Sequence, residues 1–141
     1  MSRSSRAFSL PDVLAALAIS AVLLALALPS FTRALDRAAV RAASREAMEL
    51  MAEARRLALA RHALVAFRID NAGGRLVVHA LSDTLMSLSL RDRYGVRLDA
   101  NRDSLAYDER GVGYGAANLT LAISRGTSAE TLTVSRLGRV R

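Results

Sequence analysis

The chain has 141 residues, which is enough for one domain of ordinary size. It contains no cysteine and only two histidines, so disulfides and thiolate metal sites are excluded and a histidine metal cluster is disfavoured. All 20 basic residues are arginine, and 13 acidic residues leave a formal charge of +7. A basic chain of this kind favours phosphate, DNA or anionic lipid as its partner.

The first predicted element is an apolar segment close to the N-terminus. Residues 13–32 carry no charged side chain, and their number matches a helix that crosses the core of a bilayer. A short polar leader containing Arg3 and Arg6 precedes them. The alternative is a secretory signal peptide that would be cut after Ala27. The length of the apolar run and the position of Asp12 at its start favour the membrane helix.

Residues 33–62 continue with helical periodicity. Apolar residues recur there at spacings of three and four, and they form one narrow stripe: Val40, Ala43, Ala47, Leu50, Ala54 and Leu57. A continuous helix over residues 8–62 would be roughly 80 Å long at 1.5 Å per residue. Pro29 is expected to kink this helix, because its ring removes one backbone hydrogen bond and clashes one turn back.

The remaining residues show the alternation of short strands. The predicted strands are Leu64–Ile69, Leu76–Leu81, Leu105–Asp108, residues 119–124 and residues 131–135. Residues 71–74 read as a hairpin turn, residues 125–129 as a connecting loop, and the Gly-Val-Gly-Tyr-Gly stretch at 111–115 as a turn. No element is assigned to residues 82–104. The predicted fold class is α+β, with a long N-terminal helix packed on an antiparallel sheet.

No group of residues in the sequence indicates catalysis. His62 and His79 fall in different predicted elements, and neither has a cysteine or a pair of carboxylates beside it. The sequence therefore predicts a protein that is not an enzyme and that holds no metal or cofactor. Four arginines at helical spacing, Arg33, Arg37, Arg41 and Arg45, are interpreted as a solvated helix face, with contact to anionic lipid or to neighbouring subunits as the alternative.

The N-terminus resembles that of type IV prepilins. The resemblance lies in Arg6-Ala7-Phe8-Ser9-Leu10-Pro11-Asp12-Val13, with Ala7 and Asp12 where the family usually has Gly and Glu. It implies cleavage between Ala7 and Phe8 by a prepilin peptidase and N-methylation of Phe8. It also implies that Asp12 meets the N-terminal amine of a neighbouring subunit during assembly. Pro29 falls where pilins commonly carry a proline that kinks the helix.

The resemblance divides the chain into three parts. Residues 1–7 are the leader, residues 8–32 are the membrane-spanning and assembly half of the helix, and residues 33–141 are a periplasmic body with helix 33–62 and sheet 63–141. It further implies a single-pass inner-membrane protein that joins major and minor pilins in a pilus or pseudopilus at the cell surface. The arginine count alone would place the body in the cytoplasm, so its periplasmic location depends on the resemblance.

The C-terminal half is similar to the end of GspH/FimT-type minor pilins. FimT-like members, which are associated with natural transformation, carry a terminal Gly-Arg-x-Arg motif implicated in DNA binding, and here it reads Gly138-Arg139-Val140-Arg141. In an extended chain the two arginines would point to one side, about 7 Å apart, toward DNA phosphates. Arg136 and Arg125 are predicted to extend this basic patch, with little preference for DNA sequence.

Two other functions remain open from the sequence. The first is a GspH-type minor pseudopilin of a type II secretion system, which has no role with nucleic acid. The second is a single-pass anchored domain of unrelated function.

Overall fold

The structure is a computed structural model that describes residues 9–81, 83–114, 118–135 and 139–140. Ala7, Phe8, Arg136, Gly138 and Arg141, to which the sequence assigns functional roles, lie outside the described residues. The chain divides into two compact units, Met1–Ala34 and Leu35–Arg141.

Helix α1 spans Leu10–Arg61, close to the predicted range of 8–62. Its start is capped by Ser9 and Asp12: the Asp12 carboxylate accepts hydrogen bonds from the Ser9 N–H (3.2 Å) and the Ser9 hydroxyl (2.6 Å). At the other end His62 takes a left-handed conformation (φ 48°), and the Ala63 N–H donates to the Ala58 carbonyl at 3.3 Å. This is a Schellman termination, here formed without the usual glycine.

The C-terminal part of α1 supplies one wall of the hydrophobic core. The predicted apolar stripe is confirmed at Val40, Ala43, Ala47, Leu50 and Ala54, which are buried, while Leu57 is half-buried. The stripe is wider than the sequence indicated, because Ser44, Met51 and Ala58 are also buried.

In the described residues after α1, the chain forms eight strands and a short second helix. They are β1 (Val65–Asp70), β2 (Arg75–Ala80), β3 (Asp83–Ser89), α2 (Leu90–Tyr94), β4 (Arg97–Ala100), β5 (Ser104–Tyr107), β6 (Gly113–Tyr114), β7 (Leu119–Arg125) and β8 (Ser128–Val134). The strands form two antiparallel sheets rather than one: a five-stranded sheet in the order β3-β2-β1-β5-β6 and a three-stranded sheet in the order β4-β7-β8. The α+β fold class is confirmed.

The predicted hairpins are present with small changes in their bounds. Between β1 and β2 the Asp70 carboxylate accepts the Gly73 N–H at 2.8 Å, and Gly74 provides the left-handed residue (φ 66°) that closes the turn. The loop predicted at 125–129 is shorter in the structure, because β7 runs to Arg125 and β8 begins at Ser128. Only Gly126 and Thr127 connect the two strands.

The segment without a sequence assignment contains β3, α2 and β4. Helix α2 begins at Ser89, whose hydroxyl accepts the Asp92 N–H at 3.3 Å, and ends at Gly95 in a left-handed conformation. Arg93 joins α2 to α1 through a 2.7 Å contact with Glu46, and this hydrogen bond raises the pKa of Arg93. Leu90, Val96 and Leu98 from this segment are buried in the common core.

Candidate functional site

The N-terminal part of α1 has the features of a membrane segment. It contains a window long and apolar enough to cross a bilayer, and none of that window is buried in the protein. This exposure is consistent with a membrane segment, and a signal sequence near the N-terminus would show the same length and composition. Pro29 lies inside the helix, where the Ser30 and Thr32 hydroxyls donate to the carbonyls of Ala27 (2.7 Å) and Pro29 (3.1 Å). The predicted kink at Pro29 stays a prediction.

Asp12 has a structural role at the start of α1. Its carboxylate satisfies the backbone N–H of Ser9, one of the donors that a helix start leaves without an intrahelical partner. The carboxylate is therefore held at the first turn of α1. This position is compatible with the predicted contact to a neighbouring amine, which stays a prediction.

Arg139 and Val140 form backbone contacts with the end of β8 and the residue after it. The Ser135 N–H donates to the Arg139 carbonyl at 2.9 Å, and the Arg139 N–H donates to the Ser135 hydroxyl at 3.3 Å. Val140 then pairs with Val134 across an antiparallel bridge and packs against the hydrophobic core. Arg139 and Val140 are thus part of the folded body. These contacts hold the backbone of Arg139 in place, while its side chain is exposed.

Arg139 lies at a groove that the sequence did not indicate. The groove has a volume of about 700 Å³ and is lined by α1 and by the chain end: Met48, Ala52, Arg55, Arg56, Leu59, Arg139 and Val140. Its α1 residues recur at spacings that place them on one face of the helix. Three guanidinium groups therefore surround a partly apolar floor. We call this feature the arginine groove.

Arg55 is the most enclosed of the three arginines. Its Nε is buried and has no hydrogen-bond partner among the described residues, and Arg55 Nε would lie 3.1 Å from a Cβ added at Gly111. Nearby, burial raises the pKa of Tyr107 to about 12, and the positive charge of Arg55 acts against that shift. In the sequence, the adjacent arginines Arg55 and Arg56 are the one signal for this site. Their spacing does not indicate that the chain end lies near them.

Arg125 lies away from Arg139, the other residue of the predicted basic patch that the structure describes. Its Nε lies 3.0 Å from Asp36 Oδ1, and its Nη1 donates to the Tyr94 carbonyl at 2.6 Å. Asp36 and Arg55 are nineteen residues apart on α1, which corresponds to roughly 28 Å along the helix. The structure therefore brings Arg125 to the opposite end of the body helix from Arg139 and gives it a structural role there.

We expect Arg125→Ala to lower the free energy of unfolding by about 1–2 kcal/mol, since it removes a charge-assisted hydrogen bond and a partly exposed ion pair. Urea unfolding followed by circular dichroism measures the change. Arg102→Ala is the matched control, because Arg102 is exposed and should shift stability by less than about 0.5 kcal/mol. Equal losses in the two variants would show that the Asp36 and Tyr94 contacts contribute nothing.

The predicted arginine row on α1 is exposed at Arg33, Arg37, Arg41 and Arg45. This agrees with a solvated helix face. Across the part of the chain that the structure describes, no three His, Asp or Glu side chains come together in a way that could hold a metal ion. His79 lies with Nδ1 3.2 Å from the Thr84 hydroxyl, at the edge between β2 and β3.

Comparison with solved structures identifies the fold. The type IV minor pilin FimU of Pseudomonas aeruginosa is similar in two crystal forms, with TM-scores of 0.63 and 0.61, 16% identity, and coverage of 72% of this chain and 86% and 90% of those chains. The minor pseudopilin EpsH from the Type 2 Secretion System of Vibrio cholerae is similar with a TM-score of 0.57, 16% identity, and coverage of 72% and 94%. No protein-family model and no curated protein sequence matches the chain.

The fold predicted from the resemblance to GspH/FimT-type minor pilins is therefore confirmed. The chain has the fold of minor pilins and minor pseudopilins, with a long N-terminal helix packed on antiparallel β-sheet.

Proposed function

We propose that this chain is a minor type IV pilin of the FimT type, a filament subunit that binds DNA through its basic C-terminal tail during DNA uptake and pilus biogenesis. The observation that carries the filament role is the combination of a minor-pilin fold with an entirely exposed apolar helix half. Before assembly, that half of α1 lies in the inner membrane. In the filament, the helices of other major and minor pilins cover it.

The proposed processing and assembly of the subunit depend on its N-terminal residues. The prepilin peptidase cuts between Ala7 and Phe8, Phe8 is N-methylated, and the body from residue 33 onward lies in the periplasm. Asp12 then meets the amine of a neighbouring Phe8 in the assembled filament. A carboxylate inside hydrocarbon needs such a partner, because an unpaired charge there costs several kcal/mol.

The DNA-binding role is supported by how the chain end is held. Pairing of Val140 with Val134 anchors the backbone next to Arg139. Binding of DNA therefore costs less conformational entropy at Arg139 than it would in a free tail. Guanidinium suits phosphate, because its planar fork can donate to two oxygens at once. Together with Arg136 and Arg141, Arg139 would contact the DNA backbone and read little sequence.

We expect Arg139→Gln combined with Arg141→Gln to weaken binding to DNA of any sequence. Loss of two phosphate contacts should reduce the slope of log affinity against log salt by about two. Fluorescence anisotropy with labelled duplexes measures this on the full chain in uncharged detergent micelles. The matched control is Arg91→Gln with Arg102→Gln, which removes the same charge from two exposed arginines outside the tail.

The alternative function is a GspH-type minor pseudopilin of a type II secretion system that has no DNA role. It is favoured by the likeness to EpsH, which spans 94% of that chain. A wild-type chain that binds no DNA at low salt, or a double tail variant that binds as well as the control, would contradict the DNA role and favour this alternative.

A further inference from the structure

We infer that the DNA site is the whole arginine groove, in which Arg55 and Arg56 of α1 contact DNA phosphates together with Arg139. The inference rests on the proposed DNA-binding function and assigns that function two residues outside the tail. Its basis is the juxtaposition of helix and chain end: residues separated by more than eighty positions in the sequence line one groove.

The dimensions of the groove fit a nucleic-acid backbone. Its α1 face runs from Met48 to Leu59, which is roughly 16 Å along the helix. Because each strand of a duplex winds around the axis, that length accommodates a short stretch of one strand's phosphates. A tail of two arginines spans only the end of such a stretch, so further contacts along α1 are available to the same strand.

The state of the arginines also fits a site for an anion. Among the described arginines, Arg93 is paired with Glu46 and Arg125 with Asp36. Arg55 and Arg139 form no ion pair with a described carboxylate, and both line the same groove. Like charges held together in this way repel, and a bound phosphate relieves that repulsion.

Arg56 lies at the rim of the groove and also forms an ion pair with Glu53. Its guanidinium contacts Glu53 on the same helix, and its side chain is 74% exposed. An exposed i,i+3 ion pair of this type contributes little, so Arg56 can exchange Glu53 for a phosphate at small cost. Among the groove residues there is no aromatic side chain, so the site offers contacts to phosphate and sugar rather than base stacking.

The central test compares Arg55→Gln with Arg56→Gln, singly and together, in the full chain in uncharged detergent. The double variant should lower the salt slope of DNA binding by about two and bind more weakly than the Arg91→Gln, Arg102→Gln control. Because Arg55 is half-buried, circular dichroism and thermal unfolding are used to check that the variants with Arg55→Gln remain folded. Arg56→Gln alone lies on the exposed rim, and it should still lower the slope by about one.

A gain in affinity is expected from Glu53→Gln. This change frees Arg56 from its carboxylate and should strengthen DNA binding, which no loss of folding can imitate. Glu49→Gln serves as the control, because it removes the same charge from an exposed position one turn away that forms no ion pair with Arg56.

The outcomes separate this inference from the function on which it rests. If the tail variant loses DNA binding while the Arg55 and Arg56 variants match the control, the groove is wrong and the tail alone binds. If the wild-type chain binds no DNA, the DNA-binding function itself is wrong. Chemical crosslinking of the same variants in detergent tests contact between copies of the chain. If the Arg55 and Arg56 variants keep DNA binding but lose these crosslinks, the groove binds the acidic face of a neighbouring helix. That result would overturn the inference.

Discussion

Co-expression with a prepilin peptidase is expected to shorten the chain by its seven-residue leader and to leave Phe8 as the new N-terminus. Intact-mass measurement and N-terminal sequencing read the result. Loss of Arg3 and Arg6 also lowers the formal charge by two, which isoelectric focusing detects independently.

Two outcomes would contradict this prediction. A new terminus at Leu28 would support the signal-peptide alternative, and an uncut chain would contradict processing at Ala7. Ala7→Gly, the residue that the resemblance leads one to expect there, should be cut at least as fast. Asp12→Asn should be cut normally but should fail to enter filaments, because it keeps the cap to Ser9 in part and removes the charge.

The second large effect is expected from deleting residues 1–32. The shortened chain should be soluble without detergent, whereas the full chain should need a membrane or micelle. The deletion removes exposed apolar side chains that have no covering in the protein, among them Leu14, Leu17, Ile19, Val22, Leu23, Leu24, Leu26, Leu28 and Phe31. The core residues all lie beyond residue 32, from Val40 to Val134.

Sedimentation and circular dichroism measure the solubility and folding of residues 33–141. We expect a monomer with a cooperative thermal transition, because one core joins α1 to both sheets. An unfolded or aggregating product would show that the body depends on the first 32 residues for closing its core. The chain with Leu14→Asn and Leu24→Asn is a useful comparison, since it should still require detergent.

Sequence patterns were sufficient where local physical chemistry determines structure. The periodicity of α1 predicted its buried face, and the turn residues between Asp70 and Gly74 predicted the first hairpin. Alternation of leucine and isoleucine with polar residues likewise predicted β7 and β8. These elements form contacts close in sequence, which a short window of residues can report.

The rest depended on contacts between distant residues. Helix α2 has five residues, too few for a periodic pattern, although Ser89 and Gly95 carry the cap chemistry that marks its ends. The division into two sheets arises because β4 pairs with β7 rather than with its neighbours in sequence. Likewise the tail motif was visible in the sequence, but its position beside Arg55 was not.

The pairing of Val140 with Val134 bears on how DNA-binding members of such a fold could be recognised from their sequences. If the arginine groove is the binding site, a terminal Gly-Arg-x-Arg alone is an incomplete criterion. A search should also require an apolar residue between the two arginines, which pairs with the strand before it, and a basic pair within the last two turns of the long helix. Transfer of the tail alone to a pilin with neutral residues on that helix face would then carry only part of the affinity.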